Sequence, residues 1–592
     1  MDIATLSLLL LAGLFVFLIA GVPLGFATGL LGGVVIAINF GAPGLGLVMQ
    51  RVYDLVITYA VIAVPLFIVM ASLLERSGIA KDMYDALNLT LGRRRGGVAV
   101  VTTVMAVIMA AMSGIIGGEI VLLGLVALPQ MLRLGYDKHL AIGTICAGGS
   151  LGTMIPPSVV LIIYGIVTET SITKLFTAAF VPGLMLATVY ILYIIIRTRL
   201  QPHLAPLPSE LRAAAAASAS AAMDDKGVSG GEGLTKGDND GAAELERSSA
   251  LVGDESLTVN GVGSSEPHQL SPAGAARKKL KSVETDDNGG VTSRGVVDID
   301  KDGDDKGAVS PRGVVEIDEV ERPLHEFVTI VSPFLLGLFG LFIARANGMD
   351  GTQQIAALIF VSATAGMIAV ALLRNSDDFP VSKGLLPPLI VVDLVLGSIY
   401  GGVTGITEAA AMGVVATFLL ITIRRELSLR TLLEGMEQTF RSVGTILWVT
   451  FGATVLAGAF SLSGGNDYVA GAILDLDISP LGVIFMMMLV FLVLGMFMDW
   501  IGIVLLTMPV FIPIVKELGY DPIWFGILFS INMQVAFLTP PFGSAAFYLK
   551  SVVPPEIDLV TIYRSFGPFI CLQLLVLMLV LFFPWIALFL VD

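Results

Sequence analysis

Three acidic side chains stand inside apolar stretches of this sequence, where a charge is costly and usually functional. Asp499 lies in LGMFMDWIGI, Glu119 in SGIIGGEIVL and Glu408 in GGVTGITEAAAMG. Such a carboxylate can coordinate a cation, pair with a basic neighbour or cap a helix. Asp499 is the strongest candidate for cation coordination or for stabilising a chain reversal. Glu119 could instead pair with a basic residue, and Glu408 could cap a helix behind Thr407.

A second set of candidates comes from a segment that occurs twice. LGYDKHLAIGTICAGGSLGTMIPPSVVLIIYG begins at Leu134 and LGYDPIWFGILFSINMQVAFLTPPFGSAAFYLK begins at Leu518, an offset of 384 residues (518 minus 134). Without a gap, the offset places Pro156-Pro157 on Pro540-Pro541. Each proline pair interrupts an apolar run beside Gly, Ser and Thr. One interpretation is a pair of kinked helices without a binding role. Two broken helices at corresponding positions, however, favour the binding site of a transporter.

Each broken helix follows an apolar stretch that is itself interrupted, 97–131 at SGIIGG and 480–515 at MDWIGI. The arms have about 16 residues, fewer than the roughly 20 that cross a membrane, which predicts two re-entrant hairpins. Hairpin tip and Pro-Pro break should meet near the midplane, where backbone carbonyls and helix ends can bind ions. The candidate binding residues are Ser113, Gly114, Gly117, Gly118, Gly152, Thr153, Pro156 and Ser158 in the first half, and Met498, Asp499, Gly502, Thr539, Pro540 and Gly543 in the second.

The composition indicates a membrane protein and counts against several other classes. Of 592 residues, 55% are hydrophobic and 14% are charged, whereas soluble domains carry about 25% charged residues. The formal charge of −15 is concentrated in residues 201–325, which hold 23 acidic and 13 basic residues. This insert is of low complexity and is predicted to be disordered. No Walker A loop, HExxH pair or nucleophile–base arrangement is visible, so neither ATP-driven transport nor an enzyme is predicted.

The charges of the loops predict how the two copies are oriented. Residues 75–95 contain five Lys and Arg residues, and their counterpart 459–479 contains none. Because Lys and Arg accumulate on the cytoplasmic side, corresponding loops should lie on opposite sides and the repeat should be inverted. We therefore predict an all-α, multi-pass membrane protein of about twelve spans. Its predicted parts are a first repeat (1–200), a cytoplasmic insert (201–325), extra spans (326–386) and a second repeat (387–592).

Five motifs occur in one order along the chain: SGIIGG, GTMIPPSVVLIIYG, GGVTGITEAAAMG, LLTMPVFIPIV and LTPPFGSAAFYLK. In these motifs the sequence resembles the large, DctM-like membrane subunit of the tripartite ATP-independent periplasmic (TRAP) transporters, and most of all the branch labelled mannitol/chloroaromatic compound transport. The resemblance covers about residues 1–200 and 325–592. It implies an elevator mechanism in a bacterial inner membrane, with Na⁺ as the coupling ion at the candidate residues and no other cofactor.

The resemblance also implies two partners, a periplasmic substrate-binding protein and a small four-span (DctQ-like) membrane subunit on a separate chain. The implied substrate is a small organic anion. The first tip departs from the commoner SGSS pattern, which favours backbone ligands there. Neither tip contains Arg or Lys, so carboxylate binding would rest on hydroxyls and helix N-termini.

Two other functions stay open at this point. One is a stand-alone sodium- or proton-coupled carboxylate transporter of the same architecture. The other is a membrane scaffold or sensor that acts through the acidic insert.

Overall fold

Every regular element in the described part of the chain is a helix. The computed structural model describes residues 3–92, 94–114, 117–207, 331–332, 380–465, 468–469, 471, 478–541 and 543–591. All of these belong to one compact unit formed by Met1–Ala217 and Glu316–Asp592. The predictions for residues 208–325 of the insert and for the extra spans (326–386) fall outside the described residues, except for 331–332 and 380–386.

Eight of the described helices are long and apolar enough to cross a membrane, which confirms the predicted multi-pass, all-α class. The first half contains α1 (Ile3–Ile19), α2 (Leu24–Val56), α3 (Ala63–Arg76), α4 (Ile79–Leu91), α5 (Gly97–Ser113), α6 (Gly118–Arg133), α7 (Lys138–Ser150), α8 (Val159–Val167) and α9 (Ile172–Leu200). The second half contains α10 (Pro380–Tyr400), α11 (Ile406–Ile423), α12 (Leu429–Leu462), α13 (Pro480–Gly495), α14 (Trp500–Glu517), α15 (Pro522–Leu538), α16 (Ser544–Lys550), α17 (Leu559–Phe582) and α18 (Trp585–Leu588).

The repeated LGYD sequence ends one helix and begins the next in both halves. Gly135 and Gly519 have φ values of +71° and +80°, a left-handed conformation that glycine adopts readily at a helix C-terminus. Two residues later, the Asp137 side chain accepts a hydrogen bond from the backbone N–H of Leu140 (3.0 Å) and caps α7. Asp521 caps α15 in the same way. The motif therefore separates each hairpin from the broken helix that follows it.

Three helices depart from a simple alternation of straight spans and loops. Helix α2 is kinked at Gly41, which has φ of +62°. Helix α12 is continuous over 34 residues. Helix α4 lies within the segment 75–95, which the sequence predicts to be a loop. Its apolar residues recur every fourth position and are buried, which explains its stability; they are Ile79, Met83 and Leu87.

The helices can be divided into two groups, which meet where α5 packs on α4 and where α14 packs on α12. The wall group consists of α2, α3, α4, α10, α11 and α12, in which α2 packs on α12, α4 on α10, and α3 on both α11 and α12. The hairpin group consists of the hairpins α5–α6 and α13–α14, the broken helices α7–α8 and α15–α16, and α17. Within it α7 packs on α6 and α17, and α15 packs on α13 and α17.

Glycines bring α2 and α12 into close backbone contact. A Cβ atom added to Gly32 would lie 2.7 Å from the Cα of Leu456, and one added to Gly452 would lie 2.0 Å from the backbone oxygen of Gly25. In lipid, helices associate through such small residues because no water is released between apolar surfaces. The wall group therefore depends on the absence of side chains along this crossing.

We expect Gly32→Ala to destabilise the protein by about 1–3 kcal/mol, because the new methyl group collides with the backbone of α12. Gly33→Ala is the matched control, since a Cβ at Gly33 meets no atom within 4 Å. Thermal unfolding of the two purified variants in detergent measures the difference. Equal melting temperatures would contradict close packing at Gly32.

Candidate functional site

A cavity of about 1110 Å³ lies between the tips of the two hairpins and the wall helices α3 and α12. It brings together sequence-predicted residues from both halves of the chain, namely Ser113, Gly114, Gly117, Gly118 and Thr153 from the first and Met498 and Asp499 from the second. The cavity is large enough for a small organic molecule. The repeat predicts that a tip and a break meet in each half, and in the structure residues of both halves line one space.

The first hairpin tip is joined to the break of the first broken helix. Gly114 has φ of +61°, and its backbone oxygen accepts a hydrogen bond from the N–H of Val159, the first residue of α8 (3.1 Å). A Cβ on Gly114 would lie 2.1 Å from the backbone oxygen of Pro157. Only glycine allows this approach, so the tip and the break form one unit.

Two carboxylates stand at the first tip. Glu119 is fully buried, and its Oε1 accepts a hydrogen bond from the Ser113 hydroxyl rather than from Arg or Lys. Among the described residues, its Oε2 has no hydrogen-bond partner. Glu75 of α3 lies so close that a Cβ on Gly118 would be 2.3 Å from its Oε1. This oxygen-rich corner can hold a hard cation such as Na⁺.

The second tip presents Asp499 to the cavity. Asp499 is the N-cap residue of α14, in an extended conformation, and it is exposed to the cavity that it lines. Next to it, Met498 also lines the cavity. Gly502 instead packs against the wall group, since a Cβ there would lie 2.2 Å from a methyl carbon of Leu24.

The hydroxyl groups of three other candidates near the breaks donate hydrogen bonds to nearby backbone oxygens. The Ser158 hydroxyl donates to the backbone oxygen of Thr153 (2.6 Å), and the Thr153 hydroxyl donates to that of Ser150 (2.9 Å). In the second half, the Thr539 hydroxyl donates to the backbone oxygen of Val535 (2.7 Å). These hydroxyls satisfy carbonyl groups that the helix breaks leave without intrahelical donors. The described cavity lining does not include Gly152, Pro156, Ser158, Gly502, Thr539, Pro540 or Gly543.

Glu408 takes a different role from the cap that the sequence suggested. The N-cap residue of α11 is Gly405, without a side-chain hydrogen bond. The Glu408 Oε1 instead accepts a hydrogen bond from the Tyr59 hydroxyl (3.0 Å), while the Thr407 hydroxyl donates to the backbone oxygen of Tyr59 (3.3 Å). Glu408 thus ties α11 to the segment before α3, and it does not line the cavity.

The wall group contributes residues that the sequence patterns did not predict. Arg76 of α3 donates to Glu434 (2.7 Å) and to Gln438 (2.9 Å) of α12, and the Gln438 amide donates to Glu75 (3.3 Å). Arg441 also lines the cavity. Cationic groups are therefore present, but they come from the wall and not from the hairpin tips. The repeat offset could not indicate them, because they lie outside the hairpins and breaks that it aligned.

The comparisons with known proteins agree with this geometry. A family model described as "Tripartite ATP-independent periplasmic transporter, DctM component" matches residues 11–229 and 375–586. The chain belongs to the DctM family. The resemblance to the large, DctM-like subunit of the TRAP transporters is thereby confirmed.

Several curated relatives cover most of the chain. The C4-dicarboxylate TRAP transporter large permease protein of Pseudomonas aeruginosa is 22% identical over 90% of this chain and 86% of its own length. The ectoine/5-hydroxyectoine TRAP transporter large permease protein of Ruegeria pomeroyi is 24% identical over the same shares. A DctMQ isethionate permease of Oleidesulfovibrio alaskensis is 21% identical over 97% of this chain and 64% of its own length.

Among solved structures, the Alcanivorax borkumensis YdaH transporter aligns with 96% of this chain and 98% of its own, at 14% identity and a TM-score of 0.45.

We expect Ser113→Ala to lower the stability of the protein by about 1–3 kcal/mol, because the buried Glu119 carboxylate would lose its hydroxyl donor. Thr103→Ala is the control in the same helix, since the Thr103 hydroxyl donates only to the backbone oxygen of Ala99 (3.1 Å). The measurement is the melting temperature of each purified variant. A larger loss in the control than in Ser113→Ala would argue against the Ser113–Glu119 contact.

Proposed function

We propose that this chain is the large membrane subunit of a sodium-coupled importer that receives a small organic acid from a binding protein and moves it by an elevator mechanism. The observation that carries the proposal is the shared cavity, in which both hairpin tips face one space. The match to the DctM family identifies the protein class, which is the permease of a transporter. The curated relatives are named for C4-dicarboxylate, ectoine, isethionate and sialic acid transport, which are small and mostly acidic compounds.

Sodium coupling is supported by the chemistry of the two tips. In the first half the oxygens of Ser113, Glu119 and the backbone beside Gly117 and Gly118 are candidate ligands, and in the second half the Asp499 carboxylate is one. Oxygen atoms are the ligands that hard cations prefer. We propose that the substrate lies between the two ion sites. A cation near Asp499 would also offset the repulsion between this carboxylate and an anionic substrate.

The elevator mechanism is supported by the division into a wall group and a hairpin group, with the cavity between them. The end of the cavity beside Arg76 and Arg441 belongs to the side that the loop charges predict to be cytoplasmic. We therefore propose that the structure represents an inward-facing state in a bacterial inner membrane. Movement of the hairpin group along the wall group would expose the same tips to the opposite side.

We expect uptake into proteoliposomes to require the cognate substrate-binding protein and a small membrane subunit. The physical reason is that the cavity would receive its substrate from a docked protein rather than from solution. The assay compares uptake of a panel of labelled organic acids (succinate, lactate and ectoine) with and without these two partners. Uptake by this chain alone would identify a stand-alone transporter.

We expect Asp499→Asn to raise the sodium concentration for half-maximal uptake by about 10-fold or more, because the amide cannot replace a charged ligand. Asp558→Asn is the control, since Asp558 caps α17 through the N–H of Thr561 (2.9 Å) and does not line the cavity. The measurement is the initial uptake rate as a function of sodium concentration at constant ionic strength. Unchanged sodium activation in Asp499→Asn would remove Asp499 from the site.

A further inference from the structure

Tyr548 of α16 lies where the two half-sites meet. Its side chain is 40% exposed and lines the cavity. The ring lies directly over the first hairpin tip, since a Cβ on Gly117 would be 3.1 Å from its Cζ atom. Asp499 of the second tip lines the same cavity. Tyr548 therefore contacts one tip and shares the cavity with the other.

The counterpart of Tyr548 in the first repeat is a buried residue that packs inside the protein. The offset of 384 residues (548 minus 164) maps it to Tyr164, which is fully buried. The Tyr164 hydroxyl donates to the backbone oxygen of Pro522 (2.6 Å), and its ring stacks on Phe529 at a centroid distance of 6.1 Å. Both repeats therefore have a tyrosine at this position, but only Tyr548 lines the cavity. Within the part of the chain that the structure describes, the Tyr548 hydroxyl forms no such bond.

A second hydroxyl stands on the same face of α16. Ser544 precedes Tyr548 by four residues, the spacing that places two side chains next to each other on a helix. Ser544 also lines the cavity, and its buried Oγ atom has no hydrogen-bond partner in the described ranges. A buried hydroxyl without a partner costs free energy, and a bound ligand that accepts its hydrogen bond removes that cost.

The same cavity also has an apolar part. Phe497 lies two residues beyond the end of α13 at Gly495, lines the cavity and is 45% exposed. The second hairpin tip therefore contributes an aromatic ring, and the first contributes the Ser113 hydroxyl. The cavity has two chemically different sides, although the helices that form it are repeated.

We propose that Tyr548 and Ser544 bind the carboxylate of the transported organic acid, each as a hydrogen-bond donor, while Phe497 contacts its carbon skeleton. This assignment rests on the proposed function, because it identifies the substrate-binding residues of the same cavity. The carboxylate then lies near Asp499, and a sodium ion at Asp499 relieves the repulsion between the two anions. Substrate affinity should accordingly depend on sodium, with Tyr548 acting on the substrate and Asp499 on the ion.

The test measures binding by the shift in melting temperature of the purified, full-length protein. Succinate, lactate and 2-oxoglutarate are titrated in sodium chloride and in choline chloride, and the acid with the largest sodium-dependent shift is used for the variants. We expect Tyr548→Phe to raise the apparent Kd for this acid by about 10-fold or more, the effect of losing a hydrogen bond to a charged group. Ser544→Ala should also raise the apparent Kd for this acid.

Tyr164→Phe is the matched control. It removes the same hydroxyl from the corresponding position of the other repeat, so it should lower the melting temperature without ligand and leave the apparent Kd unchanged. A wild-type Kd in Tyr548→Phe, or an equal rise in Tyr164→Phe, would overturn the assignment. The absence of a sodium-dependent shift with all three acids in the wild-type protein would also overturn the assignment, whereas the uptake assay with both partners tests the proposed function separately.

Discussion

The structure depends on one constraint, which is that backbone polar groups at membrane depth must find partners inside the protein. Both broken helices interrupt their hydrogen-bond ladders where no water is expected. In the first half, Gly114 at the hairpin tip accepts the hydrogen bond of Val159 at the start of α8. The hydroxyls of Ser158 and Thr153 satisfy further carbonyl groups. In the first half, the hairpin and the broken helix therefore stabilise each other.

The same constraint explains the small residues at the site. Gly114 must approach Pro157 closely, and Gly118 must admit the Glu75 carboxylate. Side chains at these positions would separate the groups that complete each other's hydrogen bonds. The lining of the cavity is mainly apolar, and these glycines let a few hydroxyl and carboxylate oxygens reach it, which suits ions and small polar ligands. A requirement of folding in lipid thus produces the chemistry of a binding site.

The repeat is symmetric in its helices and asymmetric in its chemistry. The hydrogen-bonded Tyr164 corresponds to Tyr548 in the cavity. Both halves supply hydroxyl groups to the cavity lining, whereas its aromatic rings and Asp499 come from the second half. Two similar helical frameworks therefore enclose one cavity with distinct sides, as binding of an asymmetric molecule requires.

The sequence by itself determined the membrane class, the two hairpins, the two broken helices and the offset that relates them. These features are local: apolar length, Pro-Pro pairs and the LGYD boundaries act through the nearest turns of the backbone. Only the tertiary structure decided which side chains share the cavity. Glu75, Arg76 and Gln438 meet there across more than 350 residues of chain, as the separations of 362 and 363 residues in their hydrogen bonds show. No local pattern encodes such contacts, because they arise from the packing of α3 on α12 and of both on the hairpin tips.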